Sequence, residues 1–236
     1  MIIEEILQSY LRPEEQYIYG FAELTGLLPP KFDGFNFGIS IGRRLNDHIV
    51  DSILHGPTQE YYSHYRQINT DPEQLTAVIS KDLINNGINS MRIEPTVNNS
   101  ELDSTYSKTL RTDLSHKLVA TRSGLGWIGK TDLFVSNKFG PRLRLVSILI
   151  NSPVKPQSKP VERSRCGKCN LCADVCPAQA ANGKLWDISV EREEFFDPFK
   201  CRKQCAEFGR SRLGLDVRIC GMCIAVCPAG KKKINS

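Results

Sequence analysis

The chain has 236 residues, 40% of them hydrophobic, which is enough for one large domain or for a medium domain with a smaller one. Its formal net charge of +5 is too mildly basic to indicate a nucleic-acid-binding domain. The N-terminus is acidic and amphipathic, unlike a signal peptide, and no window approaches about 18 uninterrupted apolar residues. We therefore expect a cytoplasmic protein that does not enter a membrane.

The first two thirds of the chain predict alternating helices and strands. The clearest helix is DPEQLTAVISKDLINNG, residues 71–87, in which Asp71 is a suitable N-cap, Pro72 fits the first helical position and Gly87 ends the helix. Its predicted apolar face consists of Leu75, Val78, Ile79 and Leu83. Strands are predicted at residues 34–42, 90–95, 133–136 and 142–150, the last two joined by a tight reversal at NKFG.

This alternation predicts an α+β fold class with an α/β-like order of elements. The polar segment NSPVKPQSKP, residues 151–160, contains three prolines and predicts a linker or a wrapping loop. We therefore expect a cofactor- or substrate-binding domain over residues 1–155 and a cysteine-rich domain over residues 156–236.

The segment SGLGWIGKTDLF, residues 123–134, is a candidate cofactor-binding loop. Gly124, Gly126 and Gly129 permit close approach of a ligand to the backbone, and Lys130 supplies a cation suited to a phosphate or propionate. The G-x-G-x-x-G spacing matches the dinucleotide fingerprint, but that motif opens a helix, whereas TDLFVS predicts a strand. Two alternatives stay open: a packed turn without a ligand, or a loop for a different cofactor.

Candidates for proton transfer lie just ahead of this loop, in DLSHKLVA. His116, next to Lys117, is a candidate proton donor or ligand, and Asp113 is the nearest carboxylate. The alternative is that these side chains lie on a helix surface and are solvated.

All nine cysteines lie in the last third of the chain, beginning at Cys166. In a reducing compartment, clustered thiols are more often metal ligands or redox groups than disulfides. The run CGKCNLCADVCP has the spacing C-x2-C-x2-C-x3-C-P of a bacterial ferredoxin, in which three thiolates bind one cluster and the fourth binds another. A degenerate second run, CGMCIAVCP, follows it, and Cys201 can supply the ligand that this run lacks.

Crossed ligation of this kind predicts two 4Fe-4S clusters in a bacterial ferredoxin-like domain. The predicted ligands are Cys166, Cys169, Cys172 and Cys227 for the first cluster, and Cys176, Cys201, Cys220 and Cys223 for the second. Zinc is the alternative, although a zinc ribbon needs two separated CxxC pairs. Cys205 is left over, either as a replacement for Cys201 or as a partly buried free thiol.

The order of these motifs resembles that of the epoxyqueuosine reductase family and its shorter relatives. The resemblance covers about residues 60–230 and rests on HKLVATRSGLGWIGKTDLFVSNKFGPRLRLVSILINSPV, CGKCNLCADVCPAQA, Cys201 and CGMCIAVCP, in that order. It implies a cobalamin-dependent iron–sulfur enzyme related to reductive dehalogenases, with a nitroreductase-like N-terminal domain and two clusters that reduce the cobalt. It also implies a corrinoid near Gly124, Leu125, Gly126, Trp127, Gly129 and Lys130.

Two departures from the family pattern bear on the substrate. The family's catalytic aspartate, in a DSAP-like stretch, corresponds to a position near Leu110, and Asp113 is only a neighbour. The helical-repeat extension of members that act on tRNA does not follow Ser236, so tRNA is not the expected substrate. A low-potential ferredoxin or flavodoxin is the expected electron donor.

Three interpretations of the function follow. The first is a reductase in which two clusters pass electrons to a corrinoid, with Asp113 or His116 as the proton donor. The second, from a different class, is a ferredoxin-like carrier or reductive activator that performs no bond chemistry. The third places FMN where the first has cobalamin, because the fold that the resemblance implies also holds FMN in other proteins.

Overall fold

The computed structural model describes residues 2–94 and 104–231, which form short helices, one long helix and six strands. The helices are α1 Ile2–Tyr10, α2 Asp47–Asp51, α3 Gln59–Asn85, α4 Ser104–Thr109, α5 His116–Arg122, α6 Leu171–Asp174, α7 Pro198–Phe208 and α8 Met222–Val226. The strands are β1 Tyr17–Glu23, β2 Phe37–Arg44, β3 Ser90–Ile93, β4 Gly126–Ile128, β5 Phe134–Ser136 and β6 Leu143–Ile150. The mixture of helix and sheet agrees with the predicted class.

The chain forms two compact units, and each is assembled from three segments. The first unit consists of residues 1–44, 68–125 and 144–161. The second consists of residues 45–67, 126–143 and 162–236, so the cysteine-rich segment folds together with two segments from earlier in the chain. Long-range contacts such as the hydrogen bond from Gln59 Nε2 to the carbonyl oxygen of Leu213, at 3.0 Å, join these distant segments, and no sequence pattern announces them.

The first unit is built on a four-stranded sheet with the order β1-β2-β6-β3. Strands β1 and β2 are antiparallel, with Phe21 opposite Ile39, and β3 is antiparallel to β6, with Met91 opposite Leu149. The four predicted strands are present as β2, β3, β5 and β6, with ends shifted by one to three residues. Pro95, the last residue of the predicted strand 90–95, lies outside the described residues.

Helices cover both faces of this sheet. One core joins apolar residues of α1 and α3 to the sheet: Ile3, Ile6, Leu7, Leu11, Phe21, Ile39, Ile41, Ile79, Leu83, Ile88, Val146, Ile148 and Ile150. A second core packs around α5: Ala22, Leu24, Phe32, Leu114, Val119 and Leu149. Because neighbouring strand residues point to opposite faces, β6 serves both cores, with Ile148 in one and Leu149 in the other.

The reversal after β5 is present, but it does not make a hairpin of β5 and β6. Backbone hydrogen bonds between Ser136 and Gly140, at 2.8 and 3.0 Å, close the turn. Strand β5 pairs with β4 in a separate two-stranded sheet, and β6 belongs to the four-stranded sheet.

The predicted start of the helix at residue 71 is wrong. Helix α3 begins at Gln59 and continues through Pro72 to Asn85. Asp71 does not cap a helix; its carboxylate forms an ion pair with Arg43. The predicted end is confirmed, because Gly87 has φ +79° and follows the last helical residues. Of the predicted apolar face, Ile79 and Leu83 are fully buried, whereas Val78 is 44% exposed.

The position of Pro72 leads to a stability prediction. A proline inside a helix lacks the N–H that would bond to the preceding turn and costs about 3 kcal/mol relative to alanine, of which about 1 kcal/mol is offset by its stiffening of the unfolded chain. We expect Pro72→Ala to raise the free energy of unfolding by about 1–2 kcal/mol, measured by urea denaturation. Pro198→Ala is the matched control: Pro198 occupies the first position of α7, where proline is favourable, so this change should bring no gain. A gain of equal size in both variants would contradict the explanation.

Candidate metal centre

The four thiols predicted to bind the first cluster lie close together in the second unit. Burial raises the pKa of Cys172 to about 11, and the charges of Cys166, Cys227 and Cys169 add to the increase. Burial also raises the pKa of Cys227, on which the charges of Cys166 and Cys169 act in the same direction. The crossing of a distant cysteine into the first run, which the spacing predicts, is therefore present in the fold, and iron ligation by these thiols stays a prediction.

A second group of thiols forms around α7 and α8. Burial raises the pKa of Cys223, and the charges of Cys220 and Cys201 contribute next. The Sγ atoms of Cys201 and Cys205 are 4.0 Å apart, one helical turn from each other. The charge of Cys172 also acts on Cys223, so the two thiol groups adjoin each other.

Cys176, the remaining predicted ligand, has its own local contact. Its Sγ atom accepts a hydrogen bond from the backbone N–H of Ala180 at 3.5 Å. Backbone N–H groups directed at cysteine sulfurs are a recurring feature of iron–sulfur sites, where they favour the more negative, reduced cluster.

The zinc alternative requires several thiols gathered around a single ion. All nine cysteines are free, and none forms a disulfide. A zinc ion bound at about 2.3 Å brings its sulfur ligands to within about 4 Å of one another. Within residues 2–94 and 104–231, no group of three or more His, Cys, Asp or Glu side chains is arranged to hold a single ion. A four-iron cluster is wider, and its ligands stand farther apart.

Local sequence signals explain how α7 and α8 present their cysteines. Asp197 caps α7 by accepting hydrogen bonds from the N–H groups of Phe199 and Lys200, both at 3.0 Å, and Pro198 follows at the first helical position. This start places Cys201 and Cys205 on one face of the helix. Gly221 precedes α8 with φ +89°, and a Cβ atom there would lie 2.5 Å from Cδ1 of Ile53.

The glycine loop is a strand-turn-strand segment of the second unit from Gly126 onward. Strands β4 and β5 pair antiparallel, with Gly126 opposite Ser136, and a Cβ atom on Gly126 would overlap the carbonyl oxygen of Val135. No helix opens after the motif, so the context that a dinucleotide fingerprint needs is missing. In the first unit, Gly124 has φ +76° and lies against Ser158 and Lys159. Backbone packing therefore accounts for these two glycines.

The side chains of the glycine loop face the cysteine runs. Trp127 Nε1 donates a hydrogen bond to Cys166 Sγ at 3.3 Å. Lys130 is only 3% exposed, and its Nζ donates to Asn170 Oδ1 at 2.6 Å, between Cys169 and Cys172 in sequence. The glycine spacing identifies this loop as a candidate site, but it does not predict these contacts. No local sequence pattern pairs the loop with residues about 40 positions later.

Arg142 is a buried cation that sequence analysis missed altogether. It is 1% exposed, and its guanidinium donates to Asp51 Oδ1 at 2.5 Å, to the carbonyl oxygen of Ala225 at 3.2 Å and to that of Asp47 at 3.3 Å. Ala225 lies in α8 between two predicted ligands, and the charge of Arg142 acts to lower the pKa of Cys227. Arg142 therefore places a positive charge near the predicted ligand Cys227, where thiolates would be negative.

The predicted proton donors both belong to the first unit. Asp113 is exposed and forms an ion pair with Lys31. His116 begins α5, and although part of the residue is accessible, its ring nitrogens are engaged: Nε2 donates to the carbonyl oxygen of Glu94 at 3.1 Å, and Nδ1 is 3.0 Å from Ser147 Oγ. Burial lowers the pKa of His116 to about 4, so the ring is neutral at pH 7.

A family model for a 4Fe-4S double cluster binding domain matches residues 165–230, the segment that contains every cysteine. Residues 165–230 are therefore similar to 4Fe-4S double cluster binding domains. Among curated relatives, the epoxyqueuosine reductase of Bacillus cereus is 31% identical over 125 residues, which cover 50% of this chain and 30% of the relative. The chain is thus related to the epoxyqueuosine reductases, and the match spans about a third of that relative's length.

Solved structures show the same fold. An epoxyqueuosine reductase with a tRNA-Tyr epoxyqueuosine-modified stem loop matches with a TM-score of 0.61 and 17% identity, over 98% of this chain and 66% of the other. A reductive dehalogenase, whose structure suggests a mechanism for B12-dependent dehalogenation, matches with a TM-score of 0.64 and 14% identity, over 92% of this chain and 30% of the other. At these identities the likeness concerns the fold alone. Across the described residues, no helix has the length and apolar character needed to cross a bilayer.

The hydrogen bond to Cys166 generates a prediction about reduction potential. If the Trp127 N–H binds the reduced first cluster about 1 kcal/mol more strongly than the oxidised one, Trp127→Phe should lower its potential by about 40 mV. Potentiometric titration followed by EPR measures this change. Trp186→Phe, the same change at the only other tryptophan, is the control and should leave both potentials unchanged. No shift in Trp127→Phe, or an equal shift in both variants, would contradict the role of this bond.

The neutral His116 ring predicts an acid-dependent loss of stability in the first unit. The folded pKa of about 4 lies below the ordinary value of 6.5, so protonation favours the unfolded chain. The contribution of His116 is fully present above about pH 6.5 and falls by about 3 kcal/mol as the pH approaches 4. Urea denaturation between pH 7 and pH 4.5 should show this slope, and His116→Gln should reduce it. His55→Gln, at an exposed histidine, should keep the slope of the unaltered protein; a slope unchanged in His116→Gln would disprove the assignment.

Proposed function

We propose that this chain is an iron–sulfur reductase in which two 4Fe-4S clusters carry electrons, one at a time, to an acceptor held by the remainder of the protein. The observation that carries the proposal is the presence of two adjoining thiol groups, one around Cys172 and one around Cys223. Adjoining clusters allow electrons to pass from one to the other, and the relationship to epoxyqueuosine reductases supports a reductive reaction at the end of that path.

Residues of the second unit would set the properties of the clusters. When bound, the clusters supply one-electron transfer, and the protein supplies their ligands and surroundings. Trp127 and the backbone N–H of Ala180 donate hydrogen bonds to cysteine sulfurs, which favours the reduced state. Arg142 supplies a buried positive charge with the same effect. The buried side chain of Ala225 keeps water away from the helix that bears Cys223.

A corrinoid is the proposed acceptor, supported by the similarity to a reductive dehalogenase whose structure suggests a mechanism for B12-dependent dehalogenation. The fit of the glycine loop to it is partial. Trp127 Nε1 donates its single N–H to Cys166, and Lys130, which donates to Asn170, is only 3% exposed, so a corrinoid could reach neither donor in this conformation. Backbone groups and the other side chains of the loop would have to make the contacts. We also propose that the first unit has a nitroreductase-like fold. FMN is the alternative acceptor.

The source of protons stays a prediction. Asp113 and His116 are the proposed donors, but Asp113 is paired with Lys31, and a neutral His116 with both nitrogens engaged would need to exchange its partners before releasing a proton. A ferredoxin or flavodoxin is the proposed electron donor. A tRNA substrate, which the sequence does not favour, is kept as an arm of the test because one neighbour is a complex with a tRNA stem loop.

A carrier or reductive activator without bond chemistry is the second candidate. The engaged state of Asp113 and His116 favours it, because neither side chain presents an uncommitted proton donor. The extent of the first unit opposes it, since a carrier of electrons alone has no need for a further unit built on a covered four-stranded sheet.

The test uses the full chain reconstituted anaerobically with iron and sulfide. About eight iron atoms per chain are expected. Titration with micromolar cobalamin should shift the visible spectrum of the bound corrinoid, and titration with FMN should not. Reduction with an artificial donor should then convert an epoxyqueuosine-containing tRNA stem loop or the free nucleoside to product. Product from either substrate would reject the carrier model.

Each part of the proposal has its own contrary result. If the visible spectrum of cobalamin does not shift although the iron content is intact, the protein does not bind a corrinoid, but the proposed electron-transfer role stands. If the protein binds FMN and not cobalamin, FMN is the acceptor. Full cluster content with no turnover of either substrate, together with electron transfer to a partner protein, supports the carrier. The same assay on His116→Gln tests the proposed proton donor, for which the expected result is a loss of turnover with unchanged iron content.

A further inference from the structure

The structure groups the thiols of Cys201, Cys205, Cys220 and Cys223 around α7 and α8. Together with Cys176, which the spacing assigns to the same cluster, they number one more than a 4Fe-4S cluster binds. The spacing assigns Cys176, Cys201, Cys220 and Cys223 to this cluster, and Cys205 is the fifth. A leftover thiol with no role could point to solvent from any part of α7. Cys205 is instead partly buried and faces the same way as Cys201.

The geometry of α7 makes Cys201 and Cys205 close equivalents. They are separated by one turn, and their Sγ atoms are 4.0 Å apart, within the range of a sulfur–sulfur hydrogen bond. Cys205 also forms a side-chain hydrogen bond with Cys220, another predicted ligand of the second cluster. The backbone reinforces this placement, because the N–H of Ile219 donates to the carbonyl oxygen of Cys205 at 3.3 Å.

We propose that Cys201 and Cys205 are interchangeable ligands of the second cluster, so that either thiolate completes its set of four. The inference rests on the proposed pair of clusters. In the exchange, the bond between iron and one sulfur breaks and the bond to the other sulfur forms, while the proton of the incoming thiol passes to the outgoing thiolate. No electron is gained or lost. The 4.0 Å separation of the two Sγ atoms gives this proton a direct path.

The test compares iron content in alanine variants, because alanine offers no oxygen that could replace a thiolate. Cys201→Ala and Cys205→Ala should each keep about eight iron atoms per chain, whereas the double variant should fall to about four. Cys223→Ala, which removes a ligand without a nearby substitute, should also fall to about four. Lys203→Ser, at an exposed position of the same helix, controls for disturbance of α7 and should keep about eight.

A fall to about four iron atoms or fewer in either single variant would overturn the proposal, since one thiol would then be the sole ligand. Failure of the two-cluster assignment gives a different result, because the unaltered chain itself would hold far fewer than eight.

Titration of reactive thiols in the anaerobic, iron-loaded protein gives a second measurement that does not depend on activity. The unaltered chain should show about one reactive thiol, and either single variant about none, because the remaining cysteine of the pair is then bound to iron. A single variant with more reactive thiols than the unaltered chain would show that its missing cysteine cannot be replaced, and it would overturn the proposal.

Discussion

The second unit depends on holding many thiolates in a small, largely buried volume. Burial alone disfavours the charged form of a thiol, as the raised pKa of Cys172 shows, and each neighbouring thiolate adds to that cost. Such a cluster of negative groups is stable only when positive charge and hydrogen-bond donors compensate it. In the proposed iron-loaded protein, iron would supply most of this compensation, and Trp127 and Arg142 supply a hydrogen-bond donor and a positive charge from the protein itself.

The same requirement explains why the second unit draws on three parts of the chain. The cysteine runs supply ligands but few of the groups that surround them. The segment 126–143 contributes the indole of Trp127 and the guanidinium of Arg142, and the segment 45–67 contributes the carboxylates that hold this guanidinium in place. The first unit, by contrast, is stabilised by conventional apolar packing on both faces of one sheet.

The cysteine spacing that cluster chemistry requires is visible in the sequence, whereas contacts between distant segments leave no local pattern. The ferredoxin spacing grouped Cys227 with the first cysteine run, and in the structure Cys166, Cys169 and Cys227 all act on the pKa of Cys172. Asp-Pro is a strong start signal and predicts that α3 begins at Asp71. The helix nevertheless continues on both sides of the proline, where Ile68 and other residues are buried by packing. Neither the contact of Trp127 with Cys166 nor the burial of Arg142 has a local signal, since both depend on segments brought together only by folding.

Arg142 also connects one helix that has no predicted iron ligand to another that contains Cys223. Its guanidinium joins α2, through Asp51, to the backbone of α8, through Ala225. A change in α8 that accompanies loss of iron would break one side of this connection and leave the charge of Arg142 to be neutralised by α2 alone. The metal-free protein should therefore loosen first at α2, far along the sequence from any cysteine, and protease sensitivity there would report the state of the metal.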